Sequence, residues 1–389
     1  MAALDGIRVL ELSTMITGPL GGQMLADLGA EVIKVENPAG GDMFRAWRGG
    51  TYSAHFLAYN RNKRSITLNL RSAKGRDILL RLVESADVLI ENFRPGVMDR
   101  LDLSLATLRE RNPRLIYCSI TGFGEDGPYR DRPAYDAVAQ SLSGVSSMFL
   151  DPESPQITGP TIADNMTGIN ACYGILGALI ERERTGIARR VDVNMLESAI
   201  TFMPDPWSNM LRGRFAQGPL ARVKASQSYA LRCADGKLLA VHLSSQPKFW
   251  EAFCGVLERT ELIGDARFKT RDLRIRNYRE LCRVLNDVVQ TRPRSEWMTR
   301  LEAADVPFAP VQTIPEVIDD RQVQHLHTFY ATQHPTEGKG LDVHRPVLID
   351  GTRQEIAPAP TFGEHTEAIL REFGYGEAEV QRLRAASVI

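Results

Sequence analysis

At 389 residues the chain exceeds the size at which one hydrophobic core keeps growing, so two domains are expected. Its composition (43% hydrophobic, 24% charged, mean hydropathy −0.21) is that of a globular protein, and a net charge of −1 argues against nucleic acid as the main partner. No run of about 18 uninterrupted apolar residues is present, and no basic segment followed by an apolar one opens the chain, so no membrane partner and a cytoplasmic location are expected.

The first third alternates strand and helix. "IRVLEL" (7–12) is a branched apolar run of the kind buried in parallel sheets. A glycine-rich turn and a helical pattern (Leu20, Met24, Leu25, Leu28) follow, with Gly29 as a stop. "EVIKVE" (31–36), "SITLNL" (65–70), a helix over 73–85, "DVLIEN" (87–92) and "RLIYCSITG" (114–122) repeat the unit. Such repeats predict an α/β fold, a Rossmann-like domain with a mostly parallel sheet. After a helix over 165–184, "RRVDVNMLESAITFM" reads as a strand feeding another helix, and a connector lies near 215–225. Two strand-like runs around Asp235-Gly236 form a hairpin signal within 228–243. Helical patterns at 247–257 and 272–290 and "FAPVQTI" (308–314) complete a smaller α+β unit. The expected division is 1–224, 225–325 and a C-terminal segment, 326–389, returning to the large domain.

The cysteines Cys118, Cys172, Cys233, Cys254 and Cys282 are scattered without a CxxC pair, and His325 and His327 lack ligand spacing. A reduced chain without a metal site is the reading. The opening stretch imitates a dinucleotide-binding fold, with Glu36 where a ribose ligand would sit. Gly18, Gly21 and Gly22 do not restore G-x-G-x-x-G, however, and their alternative use is close packing. Lys63, Arg64, Arg71, Arg94 and Arg100 fall near predicted strand ends, where cations can meet a polyanionic cofactor; each is otherwise a surface charge.

"TIADNMTG" (161–168) places Asp164 in front of the long helix. Capping is the ordinary use of Asp there, and nucleophilic chemistry is the alternative. Gly122, Gly124 and Gly144 offer backbone N–H donors for a developing oxyanion.

These stretches together ("LDGIRVLEL", "GPLGGQMLADLGAEVIKVE", "NRNKRSITLNL", "ADVLIENFRPGVMDRL", "GFGEDGPYRDRPAYDAVAQSLSG", "ADNMTG", "GEHTEAIL") resemble, in order and nearly end to end, the class III coenzyme A transferases. That superfamily includes formyl-CoA transferase, crotonobetainyl-CoA:carnitine CoA-transferase and the α-methylacyl-CoA racemases. The resemblance implies Asp164 as nucleophile, with Tyr135 and Asp136 supporting it. It implies coenzyme contacts at Ile16, Thr17, Leu68, Asn69, Leu70, Arg71, Asn92, Phe93, Arg94, Arg100, Arg132 and Tyr135. Thr14 stands where relatives often carry His, and Asn37, also a coenzyme position, where formyl-CoA transferase has Arg. No counterpart of that enzyme's glycine loop is visible between 215 and 245.

The implied activity moves coenzyme A from an acyl-CoA to a free carboxylic acid through aspartyl anhydride and aspartyl-CoA thioester intermediates. No tightly bound cofactor is implied: coenzyme A and its acyl thioesters are substrates. The racemases use a His followed by Asp where this chain has Tyr135-Asp136, and a phenol of pKa near 10 is a poor base at neutrality. Racemisation and a catalytically inactive thioester-binding protein are the alternatives. The resemblance further implies an interlocked homodimer.

Overall fold

Six short strands form the main sheet: β1 (Arg8–Glu11), β2 (Glu31–Glu36), β3 (Lys63–Thr67), β4 (Val88–Glu91), β5 (Ile116–Thr121) and β6 (Arg190–Asn194). Their order is β3-β2-β1-β4-β5-β6, and all neighbours are parallel. This is a computed structural model, and it describes residues 2–47, 52–151, 153–213, 218–244 and 246–389. Successive side chains point to opposite faces of a strand, and here both faces are covered. Leu10, Ile33, Leu89 and Tyr117 pack with Leu79, Leu82, Ile369 and Leu370 on one side. Val9, Val32, Val88, Ile90 and Cys118 pack with Leu25, Ala171 and Ile175 on the other. Two-sided burial is why β1, β2, β4 and β5 read as mainly apolar runs rather than alternating ones.

Four helices shape the carboxyl edge of this sheet: α1 (Thr17–Ala26), α2 (Asp136–Leu142), α3 (Ile162–Thr185) and α4 (Met195–Thr201). Strand β3 ends at Thr67, short of the expected Leu70, because the chain turns there. The Ser72 N–H donates to the Asn69 carbonyl (3.0 Å), and the Ser72 hydroxyl caps helix Ala73–Val83 through the Gly75 N–H (3.0 Å).

By compactness the chain divides into Met1–Ser146, Ile157–Pro204 and His327–Ile389 as one unit, and Ser147–Gln156 with Asp205–Leu326 as another. In the second, β7 (Ser228–Arg232) and β8 (Leu238–His242) form the hairpin around Asp235-Gly236, with Gly236 at φ +76°. Strand β9 (Phe308–Val311) pairs antiparallel with β8, and Trp250, Phe253, Leu281, Leu285 and Trp297 fill the core. The single helix expected over 272–290 is two, Arg271–Arg276 and Tyr278–Val289, interrupted at Asn277. Of the expected connector, residues 215–217 lie outside the described residues and Ala221–Ala225 is helical. In the first unit an antiparallel hairpin, β10 (Phe329–His334) with β11 (Gly338–Val343), precedes the terminal helices Thr366–Glu372 and Glu377–Ala385.

Candidate functional site

The turn between β1 and α1 is built on close approach. A Cβ on Gly22 would lie 2.0 Å from Glu11 Oε2, and one on Gly168 would lie 2.7 Å from the Thr17 carbonyl. The glycines therefore let α1 press onto β1 and α3, and no pyrophosphate cradle is needed to account for them. The Glu11 carboxylate lies between the ammonium groups of Lys34 (2.9 Å) and Lys63 (2.8 Å), all three buried. Lys63 is thus neither a surface charge nor directed at a ligand, and Arg64 pairs with Glu31 and Glu372 instead. Glu36 accepts from Arg45 (2.7 Å) and Ser65 (2.6 Å), so its carboxylate is already bound within the chain.

Order reverses between β1 and β4, and in open α/β sheets the crevice at the carboxyl ends beside such a point is where ligands gather. Here it is a cleft of about 400 Å³, lined among others by Ile16 and Thr17 after β1, Asn92, Phe93 and Arg94 after β4, Arg132 and Tyr135 before α2, and Asp164 on α3. A second hollow of about 230 Å³, lined by Asn37, Leu68, Asn69, Leu70 and Arg71, shares Thr14, Phe93 and Val97 with the first. Six chain segments predicted from sequence thus converge on two adjoining hollows. Arg100 is absent from both linings: it ends helix Val97–Arg100, exposed. Asp136 too is absent from the linings; its carboxylate contacts α3. Among the lining residues that escaped sequence reading are Arg130 and Met195. Arg130 lies inside the quoted "GEDGPYRDRPAYD" and carried a detectable basic signal, whereas Met195 opens α4 with none.

Side chains fix the turns that line the cleft. The Asn92 amide donates to the Thr14 carbonyl (2.8 Å) and Thr17 hydroxyl (3.0 Å), and its oxygen accepts the Thr14 N–H (3.0 Å). Both its N–H hydrogens are thereby used inside the chain. Of the glycines offered as oxyanion donors, Gly122 lines the cleft; the Gly124 N–H goes to the Thr121 hydroxyl (2.9 Å) and the Gly144 N–H to the Ser141 carbonyl (3.4 Å).

Helix α3 begins at Ile162, three residues before the expected start, so Asp164 sits in its first turn instead of ahead of it. Its side chain does not cap the helix. The cap is supplied from α2: the Asp164 N–H donates to Asp136 Oδ1 (3.2 Å), while Gln140 Nε2 donates to Asp136 Oδ2 (2.5 Å) and to the Pro160 carbonyl (3.0 Å). Among the described residues nothing hydrogen-bonds the Asp164 carboxylate. Burial, with the Asp136 charge beside it, pushes its pKa up to about 7. Gly168, one turn on along the same face, meets Thr17, which brings the start of α1 next to Asp164. A desolvated carboxylate on the wall of a ligand-sized cleft, near neutrality in its titration, can act as base or nucleophile.

Sequence comparison identifies the lineage of this arrangement. The profile described as CoA-transferase family III matches residues 4–366. The chain is 33% identical to a formyl-CoA:oxalate CoA-transferase of Streptomyces avermitilis, the alignment covering 100% of this chain and 99% of that one. It is also 33% identical to the human succinyl-CoA:glutarate CoA-transferase, covering 99% and 90% respectively. A crystal structure of a CAIB/BAIF family protein from Brucella suis superposes with a TM-score of 0.85 at 33% identity, covering 96% of this chain and 99% of that one. With its α/β architecture and full-length match, the chain belongs to CoA-transferase family III and is a CoA-transferase.

Proposed function

We propose that Asp164 is the nucleophile of this transferase and that the reaction proceeds through covalent aspartyl intermediates. The Asp164 carboxylate attacks the thioester carbonyl of the donor, giving an aspartyl–acyl anhydride and coenzyme A thiolate. The thiolate attacks the aspartyl carbonyl, releasing the donor carboxylate and leaving an aspartyl-CoA thioester. The acceptor carboxylate attacks that thioester, forming a second anhydride and freeing the thiolate, which then takes the acceptor acyl group and restores Asp164. A carboxylate suits this sequence because it serves as nucleophile and leaving group alike. The acids exchanged are small carboxylic acids, a class that includes the formate, oxalate, succinate and glutarate of the relatives' names. In this reading the thioester occupies the larger hollow and the nucleotide the hollow lined by Asn37 and Leu68–Arg71, with Tyr135 against the acyl chain.

The observation that carries the reading is the desolvated Asp164 carboxylate facing the cleft with no partner of its own among the described residues. Racemisation is disfavoured because, among the described residues, no histidine lines the cleft, and Tyr135 is 59% exposed. Hydroxylamine trapping after incubation with an acyl-CoA should modify Asp164, and Asp164→Ala should abolish exchange while the fold persists. Full exchange by the Ala variant would end the proposal; coenzyme binding by the wild type without exchange would favour an inactive binding protein. The chain is further proposed to act as a homodimer in the cytoplasm. Ile169, Tyr173 and Ile180, at 40%, 77% and 55% exposure, form an apolar stripe at helical spacing on α3, and free thiols at all five cysteines suit a reducing compartment.

A further inference from the structure

Met15, at the bend between β1 and α1, has φ +68°, in the left-handed region that a residue with a Cβ occupies only when its surroundings dictate it. The group that dictates it is Asp42. The Met15 N–H donates to both Asp42 carboxylate oxygens (3.1 and 3.2 Å). Asp42 is itself fully constrained: its oxygens accept from Phe44 N–H (2.9 Å) and the Lys34 ammonium (2.9 Å), and its own N–H donates to Glu36 Oε1 (3.1 Å). It is 1% exposed. Asp42 closes the loop that follows β2, in which Gly41 has φ +70° and leaves no room for a side chain, since a Cβ there would lie 2.7 Å from both Glu36 and Phe362.

This loop and Met15 belong to different hollows. Asn37, Gly41 and Asp42 line the smaller one, while Met15, Ile16 and Asp164 line the larger. We infer that Asp42 is a positioning residue that transmits occupancy of the nucleotide hollow to the reacting hollow, by holding the left-handed Met15 turn and with it the start of α1 beside Asp164. A ligand that orders the 37–42 loop tightens Asp42 against Met15. Binding energy from the non-reacting nucleotide is thereby used to align the reacting end. The inference rests on the proposed placement of coenzyme A in the two hollows.

Two measurements test it on the full-length protein. The first is independent of turnover: adenosine 3′,5′-bisphosphate, which carries no pantetheine, should slow amide exchange in the segment containing Met15 in the wild type and leave it unchanged in Asp42→Ala, which removes both acceptors of the Met15 N–H. Absence of that protection in the nucleotide-bound wild type, or its persistence in Asp42→Ala, overturns the coupling even if transfer is normal. The second compares a CoA thioester with the matching pantetheine thioester. Wild-type kcat should exceed that for the truncated donor by roughly 10-fold or more, and Asp42→Ala should reduce kcat for the CoA thioester to the truncated level. Adding Met15→Gly, which adopts the turn without a Cβ, should recover about fivefold of the loss. A variant merely less stable would lose signal equally with both donors and gain nothing from the glycine, which would refute positioning. Should the wild type exchange no acyl group at all, the transferase mechanism fails while the exchange experiment still decides the coupling.

Discussion

Asp164 has its charged form disfavoured by burial and by Asp136, and both consequences can be measured. With a folded-state pKa of about 7, kcat/KM should climb about tenfold per pH unit on the acid side and level off above neutrality. Asp136→Asn keeps an acceptor for the Asp164 N–H but removes the neighbouring charge, so the midpoint of that profile should move to lower pH; an unmoved midpoint would assign the shift to burial alone. The same raised pKa costs stability where Asp164 is ionised. The penalty grows as pH rises from the ordinary value near 3.8 to about 7 and is complete above it. Asp164→Asn should therefore stabilise the fold at pH 8 by on the order of 1–3 kcal/mol and by nothing near pH 3, as read by denaturant titration. Sequence alone left this residue divided between cap and nucleophile, and only the resemblance favoured the second. Asp42 gave no signal at all, because a carboxylate gripping a backbone N–H 27 positions away follows no helical or strand period.

The elements most legible in the sequence were the buried strands. β1, β2, β4 and β5 carry apolar side chains to both faces, and it is their short length and branched residues that set them apart from buried helix segments. Hairpin β10–β11 was not legible: "FYATQH" and "GKGLDV" are short, mostly half-buried or exposed, and carry little apolar alternation. The broken glycine fingerprint was read correctly as packing, and its role is specific. Gly22→Ala would drive a methyl into Glu11, the carboxylate shared by Lys34 and Lys63, so a loss of about 2–4 kcal/mol is expected in thermal or chemical unfolding. A change within ±0.5 kcal/mol would mean that α1 can slide off the sheet without disturbing the buried charges.

For the molecule as a whole, the apolar stripe on α3 sets an expectation about assembly. Gel filtration with light scattering should return a dimer, and Tyr173→Glu, which puts a charge in the middle of the stripe, should shift it toward monomer. A monomeric wild type would withdraw the dimer from the proposal. The far end of the chain matters as much. The Asn69 N–H donates to the Val388 carbonyl (2.7 Å), the Asn69 amide reaches the Ser387 carbonyl 318 positions downstream (3.4 Å), and the Ser65 and His365 backbones are joined at 2.9 Å. The segment that forms one wall of the smaller hollow is thus stapled by residues more than 300 positions downstream. During synthesis the ribosome must deliver residues through Val388 before that wall is secured, so a nascent chain that already carries Asp164's helix but stops short of Ser387 should still be unable to retain adenine nucleotide, and removing Ser387 and Val388 should erase nucleotide retention before it disturbs the central strands.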